Sequence, residues 1–260
     1  MSSGDLRPAA TVLLLRDEPA GLEVYMVRRH RLMGFAGDAL VFPGGRVDAA
    51  DSLLASRPGL RAAVAGIDAP AMAFRVGALR ETFEEGGILL AREQGTGVLL
   101  SGERAKALSG HRAAIAAGAL PFAEFLAREN LVLAPDLLVP FAHWITPPVY
   151  AKRYDTMFFL AAAPSGQRAV HDGQESVDSQ WITPAHALAA GDAGTSRVEF
   201  ATRRNLEKLG RSASVESAVA AARGARIVTV LPVIEEGPQG VIAHLPPDAD
   251  YGGTVFDFAR

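Results

Sequence analysis

The chain contains no cysteine, and this absence excludes disulfide bonds, thiolate catalysis and cysteine-ligated zinc. No apolar run approaches the roughly 18 residues that a membrane-spanning helix needs, and the opening M-S-S-G-D-L-R-P lacks the apolar core of a signal peptide. The net charge of −3 provides no global basic field, so a nucleic-acid backbone is not expected as the main partner. We therefore expect a cytoplasmic protein with neither a membrane nor a nucleic-acid partner.

The 260 residues suffice for one large domain or two small ones, and 49% hydrophobic content allows a sizeable core. We favour a single domain over residues 1–260, and we find no internal repeat. The polar residues that carry chemistry are concentrated in one stretch.

That stretch, residues 80–88, reads R-E-T-F-E-E-G-G-I. On a helix, Glu81, Glu84 and Glu85 stand at positions i, i+3 and i+4 and share one face. Like charges at these spacings repel, which invites a compensating cation, and carboxylate oxygens suit Mg²⁺ or Mn²⁺. The alternative is a solvated acidic helix face.

A glycine pair lies upstream, where A-L-V-F-P-G-G (residues 39–45) reads as a short strand that stops at Pro43 and opens into a bend. Glycine lets the backbone approach a ligand closely. A strand, a glycine pair and a carboxylate-bearing helix together are what phosphate chemistry on a metal needs.

These segments resemble the signature of the Nudix hydrolases, GX5EX7REUXEEXGU, in which U is a bulky aliphatic residue. Gly45 matches the leading glycine, and residues 80–88 match the second half. Asp51 replaces the first Glu of the signature, Thr82 replaces an aliphatic residue, and residues 52–79 replace a seven-residue spacer. A long insertion at this point is similar to the coenzyme A diphosphatase subgroup, as are the segments W-I-T-P and R-Y-D-T-M-F-F-L.

The resemblance implies an α/β fold, a Nudix α/β/α sandwich with a mixed central sheet and helical insertions. The insertions are expected at about 52–69 and 92–140, with a C-terminal extension from about 211. The implied activity is hydrolysis of a pyrophosphate bond in a small-molecule nucleoside diphosphate derivative, with coenzyme A or an acyl-CoA leading. ADP-ribose or a nucleotide sugar is the alternative substrate, and a non-catalytic nucleotide sensor is the alternative function.

The resemblance also implies the roles of individual residues. The catalytic group comprises Glu81, Arg80, Glu84 and Glu85, with Glu81 favoured to orient or deprotonate water and Arg80 to brace Glu81. The metal ligands comprise the carbonyl of Gly45 with Glu81, Glu84, Glu85 and Glu175. The expected substrate-binding residues are Arg29, Arg31, Phe42, Gly44 and Arg153.

Three of these expectations have open alternatives. Glu175 lies in H-D-G-Q-E-S, which also reads as an ordinary acidic turn. A coenzyme A signature precedes the glycines in the subgroup; Arg29 and F-P-G-G match it, but Gly34 and Asp38 stand where it has Arg and Gly. The helical insertion could cover the substrate, form a homodimer contact or serve as packing.

The apolar patterns predict the remaining elements. The catalytic helix is expected to begin near Pro70, with Asp68 or Ala69 as its cap, and to end at Gly86-Gly87. Strands are predicted at 9–15, 22–27, 157–163, 177–182, 226–231 and 240–245, the last two joined by an acidic turn at 235–238. Helices are predicted across 103–141 and at 184–190, 197–209 and 215–222.

Overall fold

The computed structural model describes residues 5–30, 37–237 and 240–258. Within them the strands are β1 (Leu6–Glu18), β2 (Gly21–Arg29), β3 (Leu40–Val41), β4 (Gly44–Arg46), β5 (Ala91–Glu93), β6 (Leu131–Leu133), β7 (Val139–Ile145), β8 (Arg153–Ala162), β9 (Ser176–Ile182), β10 (Thr229–Val230), β11 (Val233–Gly237), β12 (Gly240–His244) and β13 (Val255–Phe258). The α-helices there are α1 (Ala49–Ala55), α2 (Ala69–Gly86), α3 (Gly102–Leu108), α4 (Arg112–Ala116), α5 (Phe122–Arg128), α6 (Pro184–Asp192), α7 (Phe200–Leu209) and α8 (Val215–Gly224).

A mixed sheet of eight strands forms the central layer. Its order is β10-β7-β8-β1-β2-β3, with β4 also paired to β1 and β9 to β2. Strand β1 runs parallel to β8, and β10 runs parallel to β7, whereas the other pairs in the sheet are antiparallel. The apolar run in β1 explains its central place, because a strand covered on both faces needs side chains that can be buried on both.

Helices cover both faces of this sheet. Val12 and Leu14 of β1 belong to the core beneath α1–α5, and Leu13 and Leu15 belong to the core against α6, α7 and α8. This arrangement confirms the expected α/β/α class with a mixed central sheet. No helix in the described part of the chain is both long and apolar enough to cross a membrane.

Helix α2 has the boundaries that its sequence predicts. The Asp68 carboxylate accepts a hydrogen bond from the Ala71 amide at 2.8 Å, and Pro70 lies in the first turn. Gly87 ends the helix with φ of 71°, a left-handed conformation that costs glycine little. These caps fix which residues of the acidic stretch lie in the last turns of the helix.

The expected helical region from 103 to 141 is only partly helical. Helices α3, α4 and α5 end at Arg128, after which Asn130 takes φ of 54°. Residues 131–133 then form β6, which pairs with β5, and 139–145 form β7 of the central sheet. The prediction was wrong for these two segments because pairing with distant strands decided their conformation.

Two smaller corrections concern loops. The glycine pair does not form a bend, because Gly44 and Gly45 lie in β4 and pair with Thr11 and Ala10 of β1. The acidic link expected as a turn at 235–238 is strand through Gly237, since β11 pairs with β12. A three-stranded sheet of β11, β12 and β13 therefore occupies the end of the described chain.

The C-terminal segment is joined to the central sheet by buried hydrogen bonds. The Tyr251 hydroxyl accepts a bond from Trp144 Nε1 in β7 and donates one to Asn205 Oδ1 in α7, both at 2.8 Å. All three residues are buried. This network ties the extension to both the sheet and one helical layer.

Candidate active site

The acidic cluster lies on the last two turns of α2 and faces β4. Side chains of Glu81 and Glu84 are 14% and 11% exposed, and Glu85 is buried. The Gly44 amide donates to Glu85 Oε2 at 2.9 Å. The three side chains therefore do not form a solvated acidic face, and they lie beside the glycine pair.

Arg80 is the hub of the cluster. Its Nη1 donates to Glu81 Oε1 at 2.8 Å and to Glu84 Oε2 at 3.2 Å. Its Nε and Nη2 donate to the two oxygens of Asp51, each at 2.9 Å, and Nη2 also donates to the Arg46 carbonyl at 2.8 Å. The contact with Glu81 is the one expected from the sequence.

Asp51 holds Arg80 rather than lying free in the site. It belongs to α1, is 2% exposed, and its Oδ2 accepts a bond from the Asp48 amide at 2.9 Å. Both carboxylate oxygens of Asp51 contact the Arg80 guanidinium, as in a bidentate ion pair. Asp51 thus occupies the signature position as a positioning residue for Arg80.

Gly44 and Gly45 are required by close approach to their neighbours. A Cβ at Gly45 would lie 2.5 Å from Glu81 Oε1, and one at Gly44 would lie 2.5 Å from the Ala10 carbonyl oxygen. Any larger residue at position 45 would displace the Glu81 carboxylate. This contact places the main chain of Gly45 directly against the acidic cluster.

Burial changes the pKa values of the ionisable side chains in this cluster. It raises the pKa of Glu81 to about 7 and that of Glu85 to about 8, and it also raises the pKa of Glu84. Burial opposes the charge of Arg80 too, but the hydrogen bond to Asp51 and the nearby carboxylates hold its pKa above the ordinary value. The cluster therefore has more carboxyl groups than cationic partners, a condition that a bound cation would relieve.

Glu175 approaches the cluster from the loop before β9. Its charge lies close enough to raise the pKa of both Glu84 and Glu85. The loop is shaped by Asp172, whose carboxylate accepts bonds from the amides of Gln174, Glu175 and Ser176. Asp172 is a residue that the sequence expectations above do not include, although an Asp two residues before an amide is a familiar signal for such a turn.

The expected substrate-binding residues lie in different places. Arg29 ends β2, where its charge opposes the rise in the pKa of Glu85, and its buried Nε has no hydrogen-bond partner. Arg153 donates to the Thr146 carbonyl at 3.0 Å and thereby braces the β7–β8 turn. Arg31 lies outside the described residues.

Phe42 is 3% exposed and packs in the core beside Leu40, on the face of the sheet opposite α2. The ring has almost no free surface for a substrate. Phe42 lies between β3 and β4, and its ring serves the core rather than a binding surface.

Arg112 joins the site from the helical insertion. Its Nη2 and Nε donate to the Glu84 carbonyl at 2.8 and 3.2 Å, near the end of α2 where main-chain acceptors lack helical partners. Phe83 of α2 also stacks on Phe125 and Phe122 of the insertion. The insertion therefore packs against the acidic helix, and no local sequence signal links Arg112 to Glu84.

The donor set suits a hard divalent cation, although its present geometry is that of an ion-pair network. In the part of the chain that the structure describes, no three acidic or histidine side chains form a group that could hold a metal ion. Arg80 engages Glu81 and Glu84, while Glu85 accepts the Gly44 amide. Because Asp51 and the Arg46 carbonyl hold the other Arg80 nitrogens, Nη1 can release both glutamates without leaving the guanidinium unpaired.

Comparisons with known proteins agree with this geometry. A family model described as the NUDT19 Nudix domain matches residues 61–193. The chain is 32% identical to the acyl-coenzyme A diphosphatase NUDT19 of Gallus gallus, over 70% of this chain and 62% of that protein. It is 28% identical to the Homo sapiens protein of the same name, over 72% of this chain and 60% of that protein. The chain thus spans about six tenths of the length of these relatives.

A solved structure extends the similarity to the fold. The crystal structure of a Nudix hydrolase from Alicyclobacillus acidocaldarius superposes with a TM-score of 0.73 at 28% identity. The match covers 84% of this chain and 97% of that chain. The fold described above is therefore shared over nearly all of that protein.

Proposed function

The chain belongs to the Nudix hydrolases, and on this premise we propose that it hydrolyses the pyrophosphate bond of a nucleoside diphosphate derivative, with coenzyme A or an acyl-CoA as the leading substrate. The observation that carries the proposal is the packing of Glu81 and Glu84 around Arg80 and of Glu85 against Gly44 of β4. We also propose that the whole chain forms one domain, supported by the buried bonds from Tyr251 to the sheet and to α7.

Nudix hydrolases generally use divalent metal ions, and we propose Mg²⁺ or Mn²⁺ for this chain. The ligands would be Glu81, Glu84 and Glu85 with the Gly45 carbonyl, and Glu175 from the neighbouring loop. A divalent ion at this position supplies charge neutralisation for the diphosphate and acidifies a bound water. Arg80 would then keep its bonds to Asp51. Its guanidinium would stay beside the glutamates, while their carboxylate oxygens would be free to bind the ion.

Within this site we assign Glu81 to accept a proton from the attacking water. Burial raises its pKa to about 7, and a base is most effective when its pKa lies near the working pH. Its carboxylate lies against the Gly45 main chain, which limits its movement once Arg80 Nη1 has released it. Arg29 is the proposed phosphate contact, since its buried Nε lacks a partner beside Glu85.

The substrate assignment rests on the names of the relatives and on one feature of the loop. Asp38 stands where the coenzyme A signature has glycine, and its φ of 62° is the left-handed conformation that glycine would adopt freely. The departure from the signature therefore preserves the backbone shape. This supports coenzyme A over ADP-ribose or a nucleotide sugar.

The proposal is tested with a panel of diphosphates in Mg²⁺ or Mn²⁺. Formation of 3′,5′-ADP and phosphopantetheine identifies coenzyme A, whereas AMP and ribose phosphate identify ADP-ribose. Glu85→Gln should lower kcat by about a hundredfold or more while the fold is retained, because it removes a carboxylate that is proposed to hold the metal ion. Glu216→Gln, on the exposed first turn of α8, is the matched control.

Two results would overturn parts of this reading. Undiminished kcat in Glu85→Gln would remove that residue from the site. Binding of a nucleotide without metal-dependent hydrolysis of any diphosphate in the panel would instead indicate the sensor function.

A further inference from the structure

A cavity outside the proposed catalytic site lies against the first half of α2, before the acidic cluster begins. It has a volume of about 300 Å³ and lies between this half of the helix and strands β7 and β8. None of the residues that line it belongs to the proposed catalytic site. Cavities of this size are at the lower end of the range that binds small molecules.

Arg75 is the charged residue in the wall of this cavity that has no acidic partner. It is 6% exposed, its Nη1 donates to the Leu138 carbonyl at 2.9 Å, and its guanidinium lies 5.0 Å from the centre of the Phe159 ring. Its Nε is buried without a hydrogen-bond partner, and among the described residues it forms no ion pair. Burial also lowers the pKa of Arg75 from its ordinary value.

A buried guanidinium without an anionic partner reduces the free energy of unfolding. A structural role alone does not explain why the chain has Arg75 at this position. The bond to Leu138 uses only Nη1, and Nη2 donates to no acceptor among the described residues. Nη2 is therefore left to donate a charge-assisted hydrogen bond to a carboxylate.

The rest of the wall is largely apolar. Phe74, Met157 and Phe159 line it, together with Ala71 on the exposed side of the helix. Asp155 also lines it but is hydrogen-bonded to His143. An apolar ligand with one negative charge fits this combination, because Arg75 is the single unpaired charge and Asp155 disfavours a second anionic group.

We propose that this cavity binds a small aliphatic carboxylate, with its carboxylate on Nη2 of Arg75 and its chain along Phe74, Met157 and Phe159. The site is separate from the proposed hydrolysis and does not depend on it. A neutral ligand of the same shape would bury the same apolar surface but would leave Arg75 unpaired.

Titration calorimetry of the full chain with octanoate, and with octanol as its neutral counterpart, tests the proposal. We expect octanoate to bind at least about tenfold more tightly, since a hydrogen bond between charged groups is stronger than a neutral one. Arg75→Met should abolish this preference while leaving octanol binding unchanged.

A second variant keeps the test independent of the folding of Arg75→Met. Ala71→Phe fills the cavity without removing the charge and should eliminate octanoate binding. Ala69→Leu, at an exposed position in the first turn of the same helix and outside the cavity, is the control and should bind as the original chain does. Equal affinity for octanoate and octanol, no binding of octanoate, or full binding by Ala71→Phe would each overturn the proposal.

Discussion

Replacing Asp51 with Asn tests the positioning role of the residue at the unusual signature position. The substitution keeps the size of the side chain but removes its charge. Asp51 now accepts bonds from Arg80 Nε and Nη2, both at 2.9 Å, and from the Asp48 amide. An asparagine can keep one acceptor oxygen toward Arg80, whereas its NH₂ group would face a donor.

The loss is therefore about one hydrogen bond between charged groups, or about 1.5–3 kcal/mol. The cost stays below that of a buried ion pair broken outright, because Arg80 still contacts Glu81 and Glu84. The Asp51 charge also contributes to the raised pKa of both glutamates, so its removal offsets part of the loss. For a chain of this size, the melting temperature should fall by about 3–10 °C.

The functional effect follows from competition for the glutamates. Once the Asp51 carboxylate is replaced, Arg80 should bind Glu81 and Glu84 more tightly. It should then compete more strongly with a metal ion for these two carboxylates. We expect the concentration of Mg²⁺ or Mn²⁺ that gives half-maximal activity to rise, with a smaller effect on kcat at saturating metal.

Thermal unfolding in chelator and metal titration of diphosphate hydrolysis measure these two effects. Asp257→Asn, at an exposed position in β13, provides the matched control. An Asp51→Asn protein that melts at the original temperature and needs no more metal would refute the positioning role.

Three further predictions concern α2 and the residues that pack against it. Gly45→Ala should lower kcat by about tenfold to a hundredfold, because its Cβ displaces the Glu81 carboxylate. The free energy of unfolding should change by less than about 1 kcal/mol. Gly59→Ala, whose Cβ would meet nothing within 4 Å, is the control in the same kinetic assay. Phe83→Ala should reduce the free energy of unfolding by about 3–5 kcal/mol in urea titrations, since its ring is fully buried and stacked; a loss below about 1 kcal/mol would contradict the packing described here. Because the pKa of Glu85 rises from 4.5 to about 8 on folding, the metal-free folded chain retains a proton that the unfolded chain releases, and its melting temperature in chelator should fall as pH increases from about 5 to 8. Glu85→Gln should reduce that dependence without removing it, because the pKa of Glu81 is also raised, to about 7; an unchanged slope would assign the dependence to other groups.

Several features of the acidic helix could be read from neighbouring residues. The start at Asp68 and Pro70, the end at Gly87 and the common face of the glutamates are set by interactions over at most four positions. The same is true of β1, whose continuous apolar run requires cover on both faces. The Nudix resemblance selected the arrangement of layers, which these local patterns alone would not have selected.

Partners that are distant in the chain could not be read in this way. Arg80 meets Asp51 across 29 positions and Glu84 meets Arg112 across 28, and neither pairing leaves a periodic signal. Phe42 is expected to bind substrate, yet its ring packs in the core with residues from distant elements. The cavity at Arg75 likewise exists only because β7 and β8 pass beside α2.

The sequence by itself determined which side chains share a helix face and where that helix begins and ends, because the forces involved act between residues one turn apart. Only the tertiary structure decided which charges meet, which are buried and by how much their pKa values change. Those properties depend on the sheet register and the packing of layers, which bring together residues that the chain holds far apart.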